Sequence, residues 1–356
     1  MNGILICKGE AKRKNIGDYV QSVAQEQFFQ KVDTYVEREH LDSFESKEKV
    51  KLIMSAWFMR HPENFPPSPC IDPLFISFHI VPRIEKKFFT EKCINYLKRY
   101  EPIGARDTGT KELLEKYGIK SYFSGCLTLT LGLNYKTQEK NDKIYFVDPF
   151  YEIGGCRTGK KKYINALLMF LKHPIKILKL NKSFVAENKS LMQKISPKID
   201  HLLMCATFYD TYSKVFEDDV LLNATYVTHD LPQSIFSSEE DKMSYAKNLI
   251  CNYAKAKLVV TSRIHCGLPC LGVETPVIFV NSDSLAAGVK RSGGRFGGLI
   301  NLFHTMYWTK NGVISDFNIN GKISNQTQIT NKNDYKVLRD NLVDAVKDFL
   351  SKEEFT

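Results

Sequence analysis

Short apolar runs and longer segments at helical spacing follow one another along the whole chain. Residues 3–8 predict a strand, Asn15 to Asp18 a turn, and 19–29 a helix. Strands are then expected at 34–38, 51–57 and 74–78, and a helix at 85–99. A short strand at 102–105 precedes the helix 108–117, which Asp107 or Thr108 caps, and a strand follows at 121–123. Residues 134–143 are polar with no apolar period and read as a linker. The pattern then restarts: strands at 144–147 and 221–228, helices at 161–171, 184–208 and 239–256, and an amphipathic helix at 334–349. Alternating strands and helices predict mostly parallel sheet covered on both faces.

The densest signal is KLVVTSRIHCGLPCLGVETPVIFVN, residues 257–281. It reads as strand 258–261, polar turn Ser262–Arg263, helix 264–273 and strand 277–280. Ligands of open α/β sheets gather where a strand's carboxyl end meets a helix's amino end. The first N–H groups of that helix, from Ile264 on, favour an anion. Arg263 adds a planar fork suited to phosphate or carboxylate, and His265 a group that titrates near neutral pH. Arg263 as a strand-end cap and His265 as a backbone partner are the structural alternatives.

Composition narrows this. The 356 residues suffice for two domains, and 43% hydrophobic with 25% charged residues suits a globular protein. The net charge of +10 is compatible with anionic metabolites, membrane surfaces or nucleic acid. Lysines occur along the whole chain and no basic tail is present, which argues against nucleic acid. Nine scattered cysteines without close pairs fit a reducing cytoplasm and no zinc site, so no metal is expected. No secretory leader is read at the N-terminus, and no apolar run is long enough to span a bilayer. Membrane contact, if made, is peripheral.

Four further motifs stand out: NIGDYVQSVAQEQFF (15–29), EPIGARDTGTKELLEKYGI (101–119), SYFSGCLTLTL (121–131) and RFGGLINLF (295–303). With TSRIHCGLPCLGVETPVIF (261–279), in this order, they resemble the polysaccharide pyruvyl transferases. The resemblance implies transfer of the pyruvyl group of phosphoenolpyruvate to two hydroxyls of one sugar, with release of phosphate and no further cofactor. It also implies two doubly wound Rossmann-like domains facing a cleft, as in glycosyltransferase-B enzymes. The expected boundaries are an acceptor-side domain 1–138, a donor-side domain 139–330, and a terminal helix in 331–356 crossing back to the first domain.

In that frame His265 is the expected acid/base, with Asp18 as a base or acceptor contact. Arg263, Ile264, Arg106 and Arg295 are expected to hold the donor, and Gln21, His79 and His229 the acceptor. The acceptor would be a galactose-type hexose of a surface polysaccharide repeat, free or on a lipid carrier at the inner face of the cell membrane. Two rivals stay open: a nucleotide-sugar glycosyltransferase of the same architecture, with Asp283 after the last strand gripping a ribose, and a non-catalytic binder of acidic glycans.

Overall fold

The structure is a computed structural model that describes residues 1–8, 13–149, 160–187, 198–282, 296–309, 312–318 and 321–352. One parallel sheet has the order β3 (Thr34–Glu37), β1 (Asn2–Ile6), β4 (Val50–Ile53), β6 (Ile71–Leu74). A second runs β11 (Thr225–Val227), β10 (Ile144–Val147), β13 (Leu258–Thr261), β14 (Val277–Ser282), β15 (His304–Thr309), β16 (Gly312–Ser315). Only its last pair is antiparallel. β10 and β13 are buried at every position, as strands covered on both faces must be.

In each sheet the first strand has its successors on opposite sides: β1 lies between β3 and β4, and β10 between β11 and β13. The chain thus changes direction beside β1 and beside β10, the places where open α/β sheets bind ligands at their carboxyl ends. Smaller parallel pairs extend the first half: β5 (Trp57–Phe58) with β7 (His79–Ile80), and β8 (Ile103–Ala105) with β9 (Ser121–Phe123).

The halves are closely joined. β2 (Arg13–Asn15) pairs antiparallel with β12 (Asp230–Pro232). One buried cluster runs from Ile4, Tyr19 and Leu127 of the first half to Leu249, Leu268 and Phe303 of the second. The Tyr335–Ser351 helix packs on this seam, adding Leu342 and Val346. It reaches back to the first half, where Leu338 packs beside Gly125 and Lys51 Nζ donates to the carbonyl of Leu350 at 3.1 Å. Separate buried clusters lie around Phe58 and Phe78 in the first half and around Phe146 and Phe208 in the second.

Several expected elements change. The strand expected over 221–228 begins as a helix, Asp218–Asn223, and only Thr225–Val227 is extended. Asp218 and Asp219 occupy that helix's first turn, where carboxylates favour helix initiation over the apolar run that follows. The helix expected over 85–99 is two, Glu85–Phe88 and Glu91–Lys98, because the Thr90 side chain accepts from the Cys93 amide and starts a new helix. The strand expected over 74–78 ends at Leu74, and Ser77 takes a φ of 53°. The helix expected over 184–208 lies partly outside the described residues; the helices Pro174–Glu187 and Lys198–Tyr212 flank that gap.

Candidate functional site

The site beside β10 is built from the chain's three adjacent strand ends. Asp148 follows β10 with a φ of 39°, a left-handed conformation that aspartate tolerates better than most residues. Its Oδ2 accepts from the His229 amide at 2.8 Å and from Arg263 Nε at 2.8 Å. Ser262 Oγ donates to the Asp148 carbonyl at 2.5 Å. One carboxylate therefore ties together the ends of β10, β11 and β13. Arg263 is the N-cap of the Ile264–Gly272 helix and its side chain is 40% exposed. Among the described residues, Asp148 holds it at Nε.

His265 is buried in the first turn of that helix, with non-helical φ and ψ of −84° and 16°. Gly17 lies directly against it: a Cβ at Gly17 would stand 3.0 Å from His265 Cβ and 3.3 Å from its Nδ1. The Asn15–Asp18 turn is seated there by two bonds. The Ile16 amide donates to the His229 carbonyl at 2.8 Å, and the Gly17 amide to Asn15 Oδ1 at 3.2 Å. The first motif of the chain and the 261–279 motif thus meet at one point. His229 itself is fully buried, its Nε2 2.9 Å from Tyr253 Oη. Burial, with Arg263 adding to it and Asp148 opposing, lowers its pKa to about 4, so it is neutral at pH 7.

The second cluster is at the 101–119 motif. Asp107 caps the Thr108–Lys116 helix, accepting from the Thr110 amide at 2.9 Å. Its Oδ2 lies 2.7 Å from His79 Nδ1 and 3.3 Å from Arg106 Nε. Burial would raise the Asp107 pKa, but His79 and Arg106 outweigh it and hold the carboxyl down at about 2. Arg106 is 2% exposed, and its Nη2 is buried with no hydrogen-bond partner among the described residues.

One segment connects the clusters. The Thr108 amide donates to the Gly297 carbonyl at 3.1 Å, and Gly298 packs on Phe123. A few residues on, Phe303 lies against Gly267 of the Ile264–Gly272 helix and stacks with Phe279, centroids 5.0 Å apart. Arg295, just before this segment, lies outside the described residues, as does Asp283.

Asp18 is half-buried beside Gly17 and its charge is felt by Cys7 and Arg38. Gln21, one turn on, is buried with its Oε1 unpartnered among the described residues. Sequence reading missed Arg38. It is 1% exposed, paired to Glu39 at 2.7 Å and stacked over Trp57 at 4.1 Å. Burial opposes its charge, but Cys7, Asp18 and Glu39 outweigh burial and raise its pKa. Next to this pair, Lys8, Glu37, His40, Arg60 and Asn64 line a cavity of about 280 Å³, at the carboxyl ends of β1 and β3. An adjacent Arg-Glu in sequence resembles an exposed helix end, so only the burial shows its role. No group of side chains suited to a metal ion occurs among the described residues.

Parallel sheets with charged groups gathered at their strand ends place the protein in the α/β class. A model of the family described as polysaccharide pyruvyl transferase matches residues 15–284, more than half of the chain. The chain belongs to that family, and so to the transferases of polysaccharide biosynthesis. No curated protein and no solved structure matches it.

Proposed function

We propose that the protein moves the pyruvyl group of phosphoenolpyruvate onto two hydroxyls of a hexose, of galactose type, in a surface-polysaccharide repeat or its lipid-linked precursor. The product is a cyclic ketal and the leaving group is phosphate. The observation that carries this reading is Arg106: a buried cation whose Nη2 lacks a partner among the described residues. A buried charge left half-satisfied is costly, and an anionic ligand completes it. Arg263, anchored at one nitrogen by Asp148, supplies a second fork.

Phosphoenolpyruvate carries a carboxylate and a phosphate, so two forks and the helix N–H groups from Ile264 on suit it. His265 then delivers a proton to the vinyl carbon, which becomes the methyl group, while positive charge develops at the adjacent carbon. A sugar hydroxyl adds there and gives up its proton. Phosphate departs with the bonding electrons, and the second hydroxyl adds to the same carbon and gives its proton to that phosphate, closing the ketal. Asp18, beside Gly17, takes the role of base or acceptor contact, and Gln21 serves the same face. The cavity lined by Lys8, Glu37 and Asn64 offers polar partners to the acceptor's hydroxyls.

His79 and His229 were expected to touch the acceptor. With exposures of 3% and 0% they are better assigned to positioning: the His79 side chain sets Asp107 and through it Arg106, and the His229 backbone amide sets Asp148 and through it Arg263. Two domains, 1–138 and 139–330, facing a glycosyltransferase-B-like cleft, with Arg295 entering from the 295–303 segment, complete the proposal. Work in the cytoplasm, on an acceptor at the membrane's inner face, fits it.

The test is to incubate the protein with phosphoenolpyruvate and a panel of galactose-containing oligosaccharides, following phosphate and the mass of the acceptor. Phosphate release coupled to addition of one pyruvyl ketal is expected. No release across the panel, with stabilisation by nucleoside diphosphates instead, would favour a nucleotide-sugar donor.

A further inference from the structure

The helices Lys160–Lys172 and Pro174–Glu187 turn one face to solvent that is apolar. Ile164, Leu167, Leu168 and Leu171, at positions i, i+3, i+4 and i+7, are 55%, 52%, 60% and 66% exposed. Ile175 and Leu178 on the next helix are 82% and 50% exposed and extend the ridge. The opposite side is satisfied: Ala166, Ile177 and Leu180 are buried in the cluster around Phe146 and Phe208. A contiguous apolar ridge of this kind is rare on a surface that meets only water.

Along the sequence of these two helices the charge has one sign. Between Glu152 and Glu187 the sequence holds Arg157 and seven lysines (160, 161, 162, 172, 176, 179, 182) and no Asp or Glu. These eight cations compare with a net charge of +10 for the whole chain. Lys176 is engaged by Asp218 at 2.5 Å, whereas Lys172 and Lys182 are exposed. An apolar face flanked by lysines, on helices whose other side packs into the body, matches an interfacial element that seats its leucines at the headgroup boundary and its lysines on anionic lipid. No helix of the described residues is long and apolar enough to cross a membrane. A second copy of the chain is a poor occupant, because two such faces would bring like charges together.

We propose that this ridge docks the protein on anionic lipid. The inference stands on exposure and charge and does not depend on the donor or acceptor chemistry. The test is co-sedimentation of the full chain with vesicles of phosphatidylcholine alone or with about one-third phosphatidylglycerol. Binding to the anionic vesicles at least tenfold above the neutral ones, reversed by high salt, is expected. The variant Ile164→Ser/Leu168→Ser/Leu171→Ser should lose about tenfold in partitioning. Lys172→Glu/Lys182→Glu should weaken binding with the ridge intact. Equal binding to both vesicle types, no sedimentation with either, or a stable dimer that the serine variant dissociates would overturn the proposal. If the serine variant fails to fold, the lysine variant and the salt series decide.

Discussion

His229 links the pH dependence of stability to the geometry of the site beside β10. Its ordinary pKa of 6.5 is lowered to about 4 by burial, so the unfolded chain binds its proton more readily than the folded one. The unfolded state therefore gains protons first as pH falls. Stability is fully present above about 6.5 and is lost progressively down to about 4. Applying the linkage relation to these two values gives a loss of about 2 kcal/mol between pH 7 and pH 5 from this group alone. Asp107, held at about 2, contributes stability that is lost only as pH falls below the ordinary carboxylate value of 3.8, so it does not confound that window. The assay is urea unfolding at pH 7, 6 and 5 for the wild type and for His229→Gln, which keeps a polar side chain near Tyr253 without the titration. The wild type should lose about 2 kcal/mol more than the variant. Parallel pH profiles for the two proteins would refute the neutral, buried assignment of His229.

Other substitutions probe the remaining contacts. Gly17→Ala places a methyl 3.0 Å from His265 Cβ and 3.1 Å from Asn15 Oδ1, so turnover should fall about a hundredfold with the melting temperature little changed; unchanged kcat would separate the turn from the reaction. Asp107→Asn leaves His79 and Arg106 without their buried carboxylate and should cost about 3 kcal/mol in urea unfolding; a loss under about 0.5 kcal/mol would show the pair to be dispensable. Gly132→Ala drives a methyl into the Gly272 carbonyl, where the two halves' backbones touch, and should destabilise by about 2 kcal/mol or more, read by thermal melting. Arg263→Lys keeps the charge but not the fork held by Asp148 and should weaken donor affinity about tenfold in calorimetry; unchanged affinity would remove Arg263 from the donor site.

Local patterns revealed the parts of the site but not their assembly. The strand, turn and helix around Arg263 are legible because their signals are contiguous: a fully apolar strand, two polar residues, then a run of small residues. Asp107 as a helix cap is legible for the same reason. The seating of Gly17 on His265 is not, since residues far apart in the chain leave no shared period. The β2–β12 pairing and the Thr108–Gly297 bond are hidden in the same way. Arg38 and Glu39 look solvent-facing in sequence, and only their pairing inside the fold explains how two adjacent charges come to be buried. The apolar run near 221 misled in the opposite direction, because residues just before it decided its conformation.

In the proposed reaction a proton is added to the vinyl carbon of phosphoenolpyruvate before phosphate leaves. Running the reaction in deuterium oxide with a galactose-containing acceptor, and examining the product by mass spectrometry and proton NMR, reports on that step. A ketal whose methyl group carries one solvent deuterium, formed in step with phosphate and abolished in His265→Ala, is expected. A ketal methyl free of deuterium, or full turnover by His265→Ala, would contradict it.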